Sequence, residues 1–436
     1  MYLTAKKSKK LKGKVNVPGD KSISHRALIF ASQAIGECKI SGLLESEDVL
    51  NTKKSLQKLG INIEKKRNDY FVSGNGIGGL SEPDDILDFG NSGTGSRLMI
   101  GLLSSQNFKS YITGDSSLRG RPMARVIKPL EKMGAKVNAR QGNLLPALVE
   151  GNGMMLPLDN YEMEVPSAQV KSAILLAAMN ISGTTTIIEK ERTRDHTESM
   201  MKYFGMDIKI SEKNGRNVIK FTGQKEYKAK NIIVPSDPSS AAFPIVAAII
   251  TEGSEILCRN ILINPTRIGL FETLKEMGAR LEYKNIRTEA GEKIADIKAS
   301  YSPDLKGVKI PAERAPSMID EYPILGVAAA CAKGDTVMNG LAELRVKESN
   351  RLELIKKGLI QNGIKAVEKG DSLIVTGGKL KGGVTVTTHG DHRIAMSFLV
   401  AGLVAAKPIK VDEPHMIATS FPEFKGLMNK LGADIR

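Results

Sequence analysis

Residues 18–34 read PGDKSISHRALIFASQA. Lys21, Ser22, Ser24 and Arg26 fall within six residues, and an apolar run of small residues follows. A short alternating segment, Val15 and Val17 about Asn16, leads into Pro18. The pattern reads as a strand followed by a helix. Hydroxyls and cations at a helix start suit a bound anion, because the first amide N–H groups are unpaired and the dipole is positive there. A single such stretch is equally a capped core helix carrying two solvated cations. Recurrence along the chain separates the two readings.

The strand-then-small-helix pattern occurs six times. The other copies are DILDFGNSGTGSRLMIGLL from Asp85, EMEVPSAQVKSAILLAAM from Glu162, NIIVPSDPSSAAFPIVAAII from Asn231, GVKIPAERAPSMIDEYPILGVAAA from Gly307 and GVTVTTHGDHRIAMSFLVAGLVAA from Gly383. A second element also recurs, a helix that ends in glycine before an alternating strand. Its glycines are Gly60, Gly134, Gly205, Gly278, Gly363 and Gly432, spaced 74, 71, 73, 85 and 69 residues apart. Glycine just past a helix end is free to take positive φ. A fixed period outranks any single motif, and this one is long enough for a small folding unit.

Each unit reads β-α-β-α-β-β. In the first, strands are expected at 14–17 and 37–43, helices at 24–35 and 47–59, and a strand pair about the turn at 66–69. The sixth unit ends at Arg436 before its closing pair, and residues 2–6 can supply a strand from the other end. The fold class is therefore α/β, two domains of three βαβαββ units each. The first domain is expected over 15–228 and the second, discontinuous, over 1–14 and 229–436. Two crossings join them, near Lys14–Pro18 and near Lys225–Asn231.

A chain of 436 residues with 41% hydrophobic content can build two large cores. Cys38, Cys258 and Cys331 show neither metal spacing nor a disulfide framework, which suits a reducing cytoplasm. The basic N-terminus lacks the apolar core of a secretion signal. No apolar run reaches membrane-spanning length, so no membrane partner is expected. A net charge of +15 favours acidic partners. With 5% aromatic residues and no tryptophan, stacking platforms for nucleic acid are scarce, so small anions are favoured.

The candidate residues lie at helix starts. Asn91, Ser92, Gly93 and Thr94 open the second small helix, and Ser167, Gln169 and Lys171 the third. Asp320 lies in the fifth, in apolar surroundings. Asp391, His392 and Arg393 open the sixth. The second helices add Arg121, the run Arg194-Asp195-His196, and RVKESNR, in which Lys347 and Arg351 are expected on one helix face with Glu348 one step round. Asp195 and Asp391 suit helix caps. The histidines lack metal spacing. Taken together, Lys21, Arg26, Arg121, Arg351 and Arg393 are too many cations at helix N-termini for capping. They oppose the macrodipole, and a bound phosphate or carboxylate would offset that cost.

These motifs resemble the 5-enolpyruvylshikimate-3-phosphate synthase family, the 3-phosphoshikimate 1-carboxyvinyltransferases, over essentially the whole chain. The segments that carry the likeness are PGDKSISHRAL, GNSGTGSRL, RGRPM, VPSAQVKSA, IDEYP, RVKESNRL and GDHRIAM. The resemblance implies two domains closing on substrate in a cleft. It implies enolpyruvyl transfer from phosphoenolpyruvate to the 5-hydroxyl of shikimate 3-phosphate, with loss of phosphate, in chorismate and aromatic amino acid biosynthesis. Lys21 would touch both substrates. Ser22, Arg26, Ser167, Gln169 and Arg194 would hold shikimate 3-phosphate, with Asp320 and Lys347 reaching it from the other domain. Arg121, Arg351 and Arg393 would clamp phosphoenolpyruvate, with Gly93 and Gln169 lining its pocket. Asp320 would accept the 5-hydroxyl proton by way of Lys21, and Glu348 would protonate the methylene carbon. No metal or cofactor is implied, and a monomer is expected.

One segment departs from the pattern. Many members carry a lysine near the C-terminus that touches phosphoenolpyruvate, where this chain has Thr419 in MIATSFPEF. The nearest alternative is the sibling UDP-N-acetylglucosamine 1-carboxyvinyltransferase family, which typically has a cysteine ahead of its Arg-Pro pair. Here that loop is GDSSLRGRP, with Ser116 near the position. A more distant alternative, from charge alone, is a basic nucleic-acid-binding protein, betrayed by steep salt dependence of DNA binding. Glyphosate, an anion that competes with phosphoenolpyruvate in the family, is expected to inhibit, because Gly93 leaves room for a longer ligand.

Overall fold

The six repeat glycines all take positive φ, between +80° and +108°. Each ends a helix where an L side chain would be strained, and each turns the chain into the next strand. In the computed structural model, which describes residues 2–436, six four-stranded sheets follow from this repetition. The first sheet shows the common plan. Strand Ile35–Ser41 pairs antiparallel with Asp69–Asn75, which pairs antiparallel with Asn62–Lys66. A two-residue strand, Ile232–Ile233, lies parallel on the far side of Ile35–Ser41. The sixth sheet keeps the plan by using Leu3–Lys6, which lies antiparallel between Ile409–Val411 and Asp434–Ile435.

The chain divides into two compact units. The N unit comprises Lys21–Val234 with Glu289–Glu292, and the C unit comprises the residues up to Asp20, Pro235–Thr288 and Lys293–Arg436. The divisions after Asp20 and Val234 fall six residues beyond the expected boundaries at 14 and 228. The reason is an exchange of strands. The strand expected to open the first unit, observed at Lys12–Val15, pairs in parallel with Glu255–Leu262 of the fourth. The strand expected to open the fourth, Ile232–Ile233, pairs instead with the first. Val15 and Val17 accordingly pack in the C-unit core. Beyond these strands, Asp20 N–H donates to the Pro235 carbonyl and Asp237 N–H to that of Pro18. Buried Arg267 ties both segments, 2.6 Å from Asp20 and 2.9 Å from Asp237.

Three small helices lie in each unit. In the C unit they are Pro238–Ile250, Tyr322–Ala330 and His392–Gly402, and every residue of all three is buried. Their apolarity all round is what full burial requires. In the N unit they are Lys21–Ser32, Gly93–Ser104 and Ala168–Ala178. The first begins three residues earlier than expected, which places Lys21 and Ser22 in its opening turn. Small residues let these helices approach closely. A Cβ on Gly101 would lie 2.3 Å from the Ala173 carbonyl oxygen of the neighbouring helix. No helix among the described residues is long and apolar enough to cross a membrane.

Candidate active site

In the N unit, the three small-helix starts and the loops beside them carry the polar side chains. Lys21 lies 2.9 Å from Asp48, an acidic residue in the first turn of helix Glu47–Lys58. Arg26 is buried. Its Nε donates to Thr197 Oγ1 and its Nη2 to Ser172 Oγ, both at 2.7 Å, and its Nη1 donates to the Ser22 carbonyl. Ser167 is the N-cap of Ala168–Ala178, its side chain accepting from Val170 N–H. Gln169, in the first turn, donates to Thr94 Oγ1 at 3.0 Å and accepts from Arg97 Nη1 at 2.9 Å. Arg97 also donates to the Gly93 carbonyl. Arg121 is held by Asn91, whose side-chain oxygen accepts from its Nη2 at 2.6 Å, and by Ser117. Asn91 in turn donates to Asp115. Arg97 thus links Gly93 to Gln169, and Asn91 separately holds Arg121. Arg194 stands in the loop between strand Thr184–Glu189 and helix His196–Phe204.

In the C unit, the centre is Arg351, the first residue of helix Arg351–Gln361 and fully buried. Three carboxylates surround it. Its Nε donates to Asp391 at 2.8 Å, its Nη2 is 2.6 Å from Glu348, and its Nη1 is 3.3 Å from Asp320. Burial works against both charges of the Arg351–Asp391 pair, and attraction outweighs it. Arg351 is held above the ordinary arginine range, by Asp391 before Glu348 and Asp320, and Asp391 below the usual carboxylate range. Arg393, two residues past Asp391, has Nη1 4.0 Å from Glu321.

Two sequence expectations are corrected here. Lys347 and Arg351 do not share a helix face: a 3-10 turn spans Ala342–Val346, Lys347 is extended, and the α-helix starts only at Arg351. Asn350 caps it, its side chain accepting from Glu353 N–H, and this interrupts the run. Nor does Asp320 lie in apolar surroundings. It sits in the turn before Tyr322–Ala330, beside Arg351, and is 17% exposed.

A family model described as EPSP synthase (3-phosphoshikimate 1-carboxyvinyltransferase) matches residues 5–428. A Parvibaculum lavamentivorans protein named 3-phosphoshikimate 1-carboxyvinyltransferase is 53% identical over 435 residues, 99% of this chain and 96% of its own. One of the same name from a Chelativorans species is 54% identical over 436 residues, 99% of this chain and 97% of its own. The 2.37 Å structure of EPSP synthase from Acinetobacter baumannii superposes with a TM-score of 0.89 at 42% identity, covering 100% of this chain and 99% of that one.

The chain belongs to the EPSP synthase family.

Some residues around the candidate site of this EPSP synthase family member were not among those expected. Asp48 and Arg97 hold Lys21 and Gln169 in place. Asp391 does cap its helix, accepting from Arg393 and Ile394 N–H with one oxygen, but the other takes Arg351 Nε and Ser349 Oγ. Thr419 is buried, donates to the Met416 carbonyl and lies 3.3 Å from His392 Nδ1. Among the described residues, no group of three or more His, Cys, Asp or Glu is arranged to hold a metal ion.

Proposed function

We propose that this chain carries out the reaction of its family with the residues named above. That reaction transfers the enolpyruvyl group of phosphoenolpyruvate to the 5-hydroxyl of shikimate 3-phosphate. Lys21, Ser22, Arg26, Ser167, Gln169, Arg194 and Lys347 hold the acceptor. Arg121, Arg351 and Arg393 hold phosphoenolpyruvate against Gly93. Two polyanions brought together demand this many cations, which act through position and charge.

The observation that carries the reading is the Arg351 cluster. One guanidinium holds Asp320, the assigned base, and Glu348, the assigned acid. The 5-oxygen attacks C2 of phosphoenolpyruvate, its proton passes to Asp320 by way of Lys21, and Glu348 gives a proton to C3. The tetrahedral adduct then loses phosphate as a proton leaves the new methyl group. A bound carboxylate or phosphate competes with Glu348 for Arg351. Release from that ion pair favours the protonated form the acid needs.

The chain is proposed to act as a monomer in the cytoplasm, where its three cysteines remain free thiols. The deciding experiment measures phosphate release from phosphoenolpyruvate with each of two acceptors. Release with shikimate 3-phosphate and none with UDP-N-acetylglucosamine is expected. The reverse result would assign the chain to the sibling activity.

A further inference from the structure

Behind Arg26 lies a second charged group that the reaction does not use. Lys171 Nζ is 2.9 Å from Glu189 and 2.7 Å from Glu198, and all three side chains are closed to solvent. Burial works against the Lys171 charge, and the two carboxylates outweigh it, holding the lysine above its usual range. One ammonium cannot neutralise both. Burial pushes the Glu198 carboxyl up, and Lys171 only partly opposes this. Such a trio is costly, and well-packed apolar side chains often do as well for stability alone.

Its partners lead towards substrate-holding positions. Glu189 accepts from both the N–H and the hydroxyl of Thr193, the residue before Arg194, and its other oxygen accepts from Asn217. Lys171 follows Gln169 by two residues, and its N–H donates to the Ser167 carbonyl. The next residue, Ser172, meets Thr197 at 2.7 Å, and Thr197 precedes Glu198. Ser172 and Thr197 are the pair that receives Arg26. Consecutive residues on the same two helices, Lys171-Ser172 and Thr197-Glu198, therefore form two adjacent rungs. One rung carries Arg26, and the other fastens the loop of Arg194.

We propose that Lys171, bridging Glu189 and Glu198, is a positioning residue for shikimate 3-phosphate, fixing the Arg194 loop and the Ser172–Thr197 seat of Arg26. The proposal rests on the assignment of that substrate made above. It concerns one substrate, because Arg26 and the loop of Arg194, which the trio and its neighbours support, are both assigned to shikimate 3-phosphate.

The test uses the full chain with three substitutions, Thr193→Val, Glu198→Gln and Lys171→Met. Thr193→Val deletes only the hydroxyl link to Glu189, and Glu198→Gln keeps the shape while removing one charge. Steady-state kinetics give KM for each substrate, calorimetric titration gives the affinity for shikimate 3-phosphate without turnover, and melting checks the fold. Thr193→Val and Glu198→Gln should raise KM and Kd for shikimate 3-phosphate about fivefold, the scale of one lost positioning hydrogen bond. KM for phosphoenolpyruvate should stay within about twofold, on the same scale. Lys171→Met should show the larger loss of affinity, and if it does not fold, the other two variants decide. Folded variants with unchanged affinity for shikimate 3-phosphate would overturn the proposal, as would equal changes in both KM values. A wild-type chain that neither binds nor turns over shikimate 3-phosphate would instead sink the functional reading, and this inference with it.

Discussion

Arg351 Nε lies 2.8 Å from Asp391 Oδ2, forty positions along the chain, and both side chains are closed to solvent. The pair joins the RVKESNR and GDHR motifs, which in the sequence read as separate helix starts. Asp391 caps one helix with one oxygen and anchors the arginine of the other with its second. The acid and the base of the proposed reaction thus converge on one of its cations, a guanidinium whose orientation Asp391 sets.

Replacing that anchor should therefore affect both stability and binding. Asp391→Asn keeps a capping oxygen but leaves Arg351 a charge short. Removing one member of a buried pair costs about 3–5 kcal/mol. The Asp391 carboxyl is held below its unfolded value of about 3.9, so its stabilisation is full above that pH and is lost as the pH falls below it. Thermal melts of both proteins should differ most near neutral pH and converge in acid. A gap that persists unchanged below the unfolded value would place the stabilisation elsewhere. KM for phosphoenolpyruvate should rise in the same variant.

The acid and the base should reveal themselves in turnover. Glu348→Gln and Asp320→Asn keep shape and remove proton transfer, which is worth about 10²–10⁴-fold. Turnover is expected to fall by that amount in each, with KM values changed far less. A variant that retained near-normal kcat would mark its residue as structural.

The physical reach of each signal explains what the sequence disclosed. The repeat glycines report on backbone conformation at one position, so the period and the six-sheet plan were legible. Strand exchange was not, because VNVPGD at 15–20 and IIVPSD at 232–237 are near copies, and either suits either sheet. The break ahead of Arg351 was signalled by Asn350 and Glu353, a pair spaced like a capping box. It was outweighed by the four-residue spacing of Lys347 and Arg351. Candidate site residues stood out where cations gathered at helix starts. Their holders did not: Asp48 reaches Lys21 across 27 positions and Arg97 reaches Gln169 across 72, and only the tertiary fold makes those pairs.

The N-terminal strand should be indispensable to the C unit. Leu3–Lys6 is a central strand, and Thr4 and Arg436 exchange backbone hydrogen bonds at 2.9 Å. Ala5 is fully buried, so close to Gly402 that a Cβ there would meet it at 2.7 Å. Deleting residues 1–6 opens two strand edges at once. Calorimetry should show a lower, broader transition and more aggregation. A synthetic peptide of residues 1–8 should restore part of the loss by strand addition. An unchanged melt would mean that the sixth sheet is stable without its third strand.

Glycine at position 93 should govern inhibition by glyphosate. A Cβ there would lie 2.9 Å from Arg97 Nη1 and 3.3 Å from Arg121 Nη1. Both are ends of flexible side chains, so Gly93→Ala should fold normally while the two guanidinium groups shift. Arg121 belongs to the proposed phosphoenolpyruvate clamp, and Arg97 holds Gln169. The methyl group therefore acts in two ways, occupying space beside the ligand and moving the cations that grip it. A longer ligand needs both that space and the original grip, and the shorter substrate needs mainly the grip. The unmodified chain should be inhibited. Gly93→Ala should raise the inhibition constant about tenfold or more, within the range one methyl group can command in a fitted pocket, and raise KM for phosphoenolpyruvate much less. Glyphosate titrations of both proteins at fixed phosphoenolpyruvate measure the difference, and equal inhibition would remove Gly93 from the anion pocket.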